Sequence, residues 1–238
     1  MKLKRLHWYD IVHWKIFTNA YQAIAFHSWP DIPEAATFKG RFEGEEWGGS
    51  VSKGIRDADY AEGWKGKILP FDCHFYDPDT GKSYGGSTEY TAYKYCLETF
   101  RVAKTKSYDP YYLGLSIHYL CDMAVPLHAA NIINIPFIDE RHSNFEKYAE
   151  SNADDFFLKA DAINPDEFNP RKFKDLGTAI HNMAIESKKV WLNTLKPVYD
   201  KKGYKEAWGK EADPTLKIMK PIAQKAVMLL CMWLVYNA

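Results

Sequence analysis

His118 and Asp122 stand four residues apart, and His142 and Glu146 repeat that spacing further along the chain. On a helix, residues four apart leave the same face one turn apart, so each pair can aim an imidazole and a carboxylate at one point. His128 lies between the pairs, just after Pro126, while Asp59, His74 and His13 upstream add a further carboxylate and two imidazoles. Imidazole and carboxylate without a thiolate pair are the donors of zinc in hydrolytic sites, which keep a position open for water. The donors exceed the needs of one ion. A cluster of two or three metals is more economical, and such clamps serve phosphoester hydrolysis by stabilising both the attacking and the leaving oxygen. Taken singly, a His/Asp pair at this spacing is also the pattern of a surface ion pair or a hydrogen-bonded core histidine. Two pairs together with His128 favour the cluster.

Helices must bring these groups together. Apolar residues at helical spacing predict a helix over 8–27, ended by Trp29-Pro30. Ser87 predicts the cap of a helix running to about Lys106. Asp109-Pro110, a cap followed by a first-turn proline, opens the helix that carries His118 and Asp122, and Pro126 interrupts it. Further helices are expected over 141–157, 171–195 and 214–236. Residues 30–86 hold most of the glycines and the turn sequence Asp77-Pro78-Asp79-Thr80-Gly81, and they read as a long irregular region carrying Asp59 and His74. The expected fold is all-α, one domain over 1–238, a helical bundle with long loops around a multinuclear zinc cleft.

Composition narrows the function. With 238 residues, 46% apolar, the chain can bury a large core, and disorder is excluded. Lysine plus arginine number 31, as do aspartate plus glutamate, so no net field draws a polyanion and nucleic-acid binding gains no support. The longest apolar stretch, Ala226 to Tyr236, is half of the roughly 20 residues that span a bilayer, and no transmembrane segment is expected. MKLKRLH runs directly into Trp8 without a secretory signal pattern, which is therefore absent or already removed. Cys73, Cys96, Cys121 and Cys231 lack CxxC spacing and read as buried thiols, with a Cys73–Cys121 pair left open. His7, His27 and His181 read as structural or surface residues.

The stretch HYLCDMAVPLHAAN at 118–131, followed by HSNFE at 142–146, resembles the zinc-dependent phospholipase C family, which shares a superfamily with single-strand-specific zinc nucleases. The likeness extends to ADY at 58–60, HFYDPDTGKSY at 74–84 and the final helix. It implies a mainly helical domain with a trinuclear zinc site. Asp59, His74, His118 and Asp122 match the ligands of the first zinc, and His128, His142 and Glu146 those of the second. His13 would hold the third, with Asp122 as a bridge and the amino group and carbonyl of an N-terminal tryptophan completing it. Trp8, five residues before His13, matches that tryptophan, but residues 1–7 precede it as an N-terminal extension. Either the chain is processed to begin at Trp8, or the third zinc has different ligation; the expectation is two to three zincs.

The resemblance separates phospholipase from nuclease at several positions. Glu146 stands where the nucleases usually carry aspartate, and Tyr60, Phe71 and Phe75 match aromatic residues around a choline group. Ring faces attract quaternary ammonium through their quadrupole. An acidic residue that supports choline binding in the family has no clear counterpart, so head-group preference stays open. The implied activity is hydrolysis of the glycerol-side phosphodiester of phospholipids such as phosphatidylcholine, at a membrane or micelle interface, with Asp59 orienting or deprotonating the attacking water. Family resemblance implies secretion. The alternatives are a single-strand nuclease or phosphodiesterase, the one case in which a nucleic-acid partner is expected, and a non-catalytic metal-binding helical protein.

Overall fold

The helix of His118 and Asp122 starts where the sequence predicts. In the computed structural model, Asp109 accepts hydrogen bonds from the Tyr111 N–H at 2.9 Å and the Tyr112 N–H at 3.4 Å, and Pro110 occupies the first turn. The described residues are 10–27, 32–41, 44–60, 72–133 and 137–236. Among them the fold is all-α, with helices α1 (Asp10–Phe26), α2 (Pro33–Arg41), α3 (Glu45–Asp57), α4 (Ala92–Thr105), α5 (Pro110–Ala124), α6 (Pro126–Ala129), α7 (Arg141–Ser151), α8 (Leu176–Val190), α9 (Lys196–Tyr199) and α10 (Asp213–Val235).

Every residue of α5 from Leu113 to Ala124 is buried, because α3, α4, α8 and α10 all pack on it. A helix covered on all faces has no solvent side for polar groups, so His118 and Asp122 must find partners inside the fold. α10 is the other core helix and lies against α1, α2, α5 and α8. The run Lys210–Val235 is long and apolar enough to cross a membrane by length and composition, unlike the shorter stretch considered in the sequence, yet 67% of its apolar window is buried in the protein. It acts here as a core helix.

Several boundaries differ from expectation. The region expected to be irregular contains α2 and α3, and α3 holds Gly48, Gly49 and Gly54. Each glycine costs a helix about 1 kcal/mol relative to alanine, so propensity argues against α3; burial of Val51 and Ile55 against α5 overrides it. Ser87 caps only a turn, accepting from the Glu89 and Tyr90 N–H groups, and α4 begins after Thr91, whose hydroxyl accepts from Lys94 at 3.2 Å. α7 ends at Ser151 rather than 157, where buried Lys220 of α10 donates to the Asn152 and Asp155 carbonyl oxygens. α8 begins later than expected, capped by Asp175, and widens into a π turn at Trp191–Leu195.

Candidate metal centre

Four helices and two short turns deliver the site. α5 carries His118 and Asp122, α6 carries His128, α7 carries His142 and Glu146, and α1 carries His13. Asp59 and His74 sit in 3-10 turns, Ala58–Tyr60 after α3 and Asp72–His74 ahead of α4. All eight side chains are buried; Asp59, at 8% exposure, is the most accessible.

The donors fall into two groups joined by Asp122. In the first, His74 Nδ1 lies 2.7 Å from Asp122 Oδ2, and His118 Nε2 lies 3.2 Å from His74 Nδ1, 3.3 Å from Asp122 Oδ2 and 3.6 Å from Asp59 Oδ1. In the second, His128 Nε2 is 3.1 Å from His142 Nε2 and 3.3 Å from Glu146 Oε1, and His142 Nε2 is 3.1 Å from the same oxygen. The other Asp122 oxygen faces His128 Nδ1 at 3.4 Å and His13 Nε2 at 3.7 Å.

Hydrogen bonding assigns two ring tautomers. His118 Nδ1–H donates to the Ile55 carbonyl oxygen at 2.7 Å, and His142 Nδ1–H donates to that of Ile132 at 2.7 Å. A neutral imidazole has one N–H, so Nε2 of each ring is left with a lone pair aimed at another ring nitrogen and a carboxylate. Converging lone pairs this close repel unless positive charge lies among them. A backbone carbonyl that fixes the far nitrogen is also the usual support of a metal-ligating histidine. Asp59, His74 and His118 form one buried group that could hold a metal ion, and His128, His142 and Glu146 form another.

Ionisation shows the same demand for positive charge. Burial opposes it, yet positive charge on the His118 and His74 rings would hold the Asp122 carboxyl well below its ordinary range, and on those of His142 and His128 would do the same more mildly for Glu146. Against the same burial, Asp122 and Glu146 raise His128, while Cys73 and Asp122 raise His74. His13 moves the other way, lowered by burial and by His118 beside it.

Phe75 is 4% exposed, with its ring 4.6 Å from that of His128 and 4.9 Å from that of Tyr84. It therefore walls the second donor group. Of the other expected aromatic contacts, Phe71 lies outside the described residues, as does the side chain of Tyr60; Trp8 and His7 lie outside them too. His181 meets the Tyr76 hydroxyl at 2.8 Å, and His27 Nε2 donates to the Ala160 carbonyl oxygen at 2.6 Å, both apart from the donor groups. All four cysteines are free and buried, so no Cys73–Cys121 bridge forms; burial pushes the Cys96 thiol up to about 12. Sequence reasoning missed the Ile55 and Ile132 carbonyls because a backbone acceptor has no residue signature.

No family model matches the chain. Over 116 residues, 47% of its length, it is 35% identical to Phospholipase C of Bacillus cereus. Over 106 residues, 42% of its length, it is 30% identical to Phospholipase C of Listeria monocytogenes serovar 1/2a. The resemblance to the phospholipase C family holds. The match spans 41% of the Bacillus phospholipase C and 36% of the Listeria one. Solved structures carry the likeness of fold across nearly the whole chain. The alpha toxin of Clostridium absonum superposes with a TM-score of 0.77 at 19% identity, covering 95% of this chain and 64% of the toxin. That of Clostridium perfringens gives 0.69 at 19% identity, covering 95% and 63%.

Proposed function

We propose that this protein is a zinc-dependent phospholipase C that hydrolyses the glycerol-side phosphodiester of phospholipids such as phosphatidylcholine, releasing diacylglycerol and a phosphorylated head group. The observation that carries the reading is the pair of buried His/carboxylate groups joined by Asp122, with Nε2 of His118 and of His142 left bare. These donors fit zinc: nitrogen and oxygen atoms, no thiolate, and rings oriented by backbone carbonyls. Asp59, His74, His118 and Asp122 would hold one ion and His128, His142 and Glu146 a second. His13 and Asp122, with Trp8, would hold a third, for two to three ions per chain. When bound, zinc supplies Lewis acidity towards phosphoryl oxygens and makes water acidic enough to react near neutral pH.

The chain's own residues then have distinct tasks. Asp59, the most accessible of the donors, orients the attacking water and takes its proton as the water oxygen bonds to phosphorus. The bond from phosphorus to the glycerol oxygen breaks, and the proton passes to that oxygen. Asp122 and Glu146 supply negative charge on the inner side, while Phe75 keeps the His128 side dry. Tyr60, Phe71 and Phe75 are the candidates for head-group contact. The reading carries with it a secreted enzyme working at a membrane or micelle surface.

Parallel assays with short-chain phosphatidylcholine, phosphatidylethanolamine and single-stranded DNA test it. Lipid turnover that falls at least about a hundredfold in Asp59→Asn, with zinc content retained, is the expected result. DNA cleavage with negligible lipid turnover contradicts it.

A further inference from the structure

Helix α8 supplies no donor to the metal centre, yet it holds the segment on which both donor groups lean. His74 puts its ring in the first group, with Nδ1 2.7 Å from Asp122 Oδ2. Phe75, the next residue, lies with its ring 4.6 Å from that of His128 in the second. The Tyr76 N–H then donates to the His128 carbonyl oxygen at 3.3 Å, and the Ala92 N–H donates to that of Phe75 at 3.1 Å. Three consecutive residues therefore span the two groups. A shift of this backbone moves a donor of one group against a donor of the other.

Two side chains of α8 grip the segment from behind. His181 and Lys188 are seven residues apart, two turns along one face of the helix. His181 Nδ1 meets the hydroxyl of buried Tyr76 at 2.8 Å, and the Tyr76 ring stacks on that of Tyr93 with centroids 4.9 Å apart. The Lys188 ammonium meets the Asp77 carboxylate and, at 2.7 Å, that of Asp79. Asp77 closes a turn, its N–H donating to the Lys82 carbonyl oxygen at 2.8 Å and its own carbonyl oxygen accepting from the Gly81 N–H at 2.8 Å. Side-chain exposure is only 16% at Lys188 and 15% at Asp77, so water screens this pair less than an ordinary surface bridge. Between the two grips Ala184 and Ser187 are fully buried, and Ser187 donates to the Ala124 carbonyl oxygen, at the end of α5, at 2.7 Å. α8 also packs on α6, which carries His128. One helix thus fixes the segment relative to the elements that bear Asp122 and His128.

We propose that His181 and Lys188 are positioning residues: through Tyr76 and Asp77 they set His74 and Phe75 against the second donor group. The consequence for substrate rests on the phospholipase reading, in which Phe75 contacts the head group. The consequence for zinc binding rests on the donor geometry alone.

The test compares Lys188→Met, Lys188→Arg and Tyr76→Phe in the full chain. Lys189→Met is the control, since Lys189 pairs with Glu186 where both side chains are 57% exposed. Amide hydrogen exchange is followed at residue 76 and Ala92, and zinc affinity by competition with a chelator. In Lys188→Met and Tyr76→Phe, exchange at these two amides rises at least about tenfold while that of Val227 and Leu230 in α10 holds. Zinc affinity falls about tenfold, the lower end of what losing a group that orients a metal ligand costs. Lys188→Arg, whose guanidinium can span both carboxylates, keeps exchange and affinity at the wild-type level, as does Lys189→Met. Unchanged exchange at the two amides, or a rise shared equally by α10, overturns the proposal. So does unchanged zinc affinity, or Lys188→Arg behaving as Lys188→Met.

Turnover of short-chain phosphatidylcholine at saturating zinc keeps the two readings apart. If the exchange and affinity results hold but the wild type leaves phospholipid uncleaved, the phospholipase is contradicted and the positioning role stands; turnover with unchanged exchange and affinity in the variants does the reverse. Where both hold, Lys188→Met raises KM for phosphatidylcholine more than it lowers kcat, because Phe75 is displaced from the head group. An unchanged KM overturns the part of the proposal that concerns Phe75.

Discussion

Gly54 of α3 and Gly114 of α5 meet backbone to backbone. A Cβ on Gly54 would stand 2.1 Å from the Tyr111 carbonyl oxygen and 3.0 Å from Gly114 Cα, and one on Gly114 would stand 2.2 Å from the Val51 carbonyl oxygen. Only hydrogen fits at either position. This close crossing brings the carbonyl of the next residue, Ile55, onto His118 Nδ1, and the end of α3 leads directly into the turn of Asp59. Helix approach and the orientation of His118 are therefore one feature.

Gly54→Ala should separate the helices and loosen that support. Overpacking at such a contact costs about 1–3 kcal/mol, read by urea denaturation of the metal-free protein. Zinc affinity should fall for the group of Asp59, His74 and His118 more than for that of His128, His142 and Glu146. Gly49→Ala, where a Cβ meets nothing within 4 Å, should leave zinc binding unchanged.

Asp122→Asn removes the charge that both donor groups share. Removing one partner of a buried ionic cluster typically costs about 3–5 kcal/mol, so the metal-free protein should unfold at lower denaturant. Metal analysis should find at least one zinc fewer per chain than in wild type.

Chelation is expected to lower stability in the wild type, because an ion bound only by the folded chain adds about 2.7 kcal/mol at a hundred times its dissociation constant. The shift in melting temperature on adding and removing zinc measures it. The shift should shrink in His142→Ala.

Lys220 gives a pH dependence remote from the centre. Burial lowers its ammonium from 10.5 to about 8, partly offset by Asp155 and Asp154. The unfolded chain then binds more protons than the folded one between those values, so stability from this group rises with pH across about 8 to 10.5. Relative to Lys220→Met, wild-type stability should gain about 2 kcal/mol between pH 7.5 and 10, measured by urea denaturation at each pH.

The sequence made the strongly signalled parts legible. Asp109-Pro110 marked the start of α5, and the spacing of His118 with Asp122 and of His142 with Glu146 survives as contacts within single helices. α3 was hidden because its glycines suit a close crossing while arguing against a helix, and the reason lies sixty residues away on α5. Ser87 misled as a cap because a serine that closes a turn looks the same as one that opens a helix. Pairing of Asp59 and His74 with α5 needed the resemblance, since periodicity does not reach across a loop.

Zinc returned stepwise to the chelated full chain, with diacylglycerol release from phosphatidylcholine followed at each addition, tests the central claim most directly. The geometry predicts no turnover without metal and full turnover by two to three zincs per chain. Equal turnover by the zinc-free protein, or a zinc-loaded protein that leaves phospholipid intact, would contradict it.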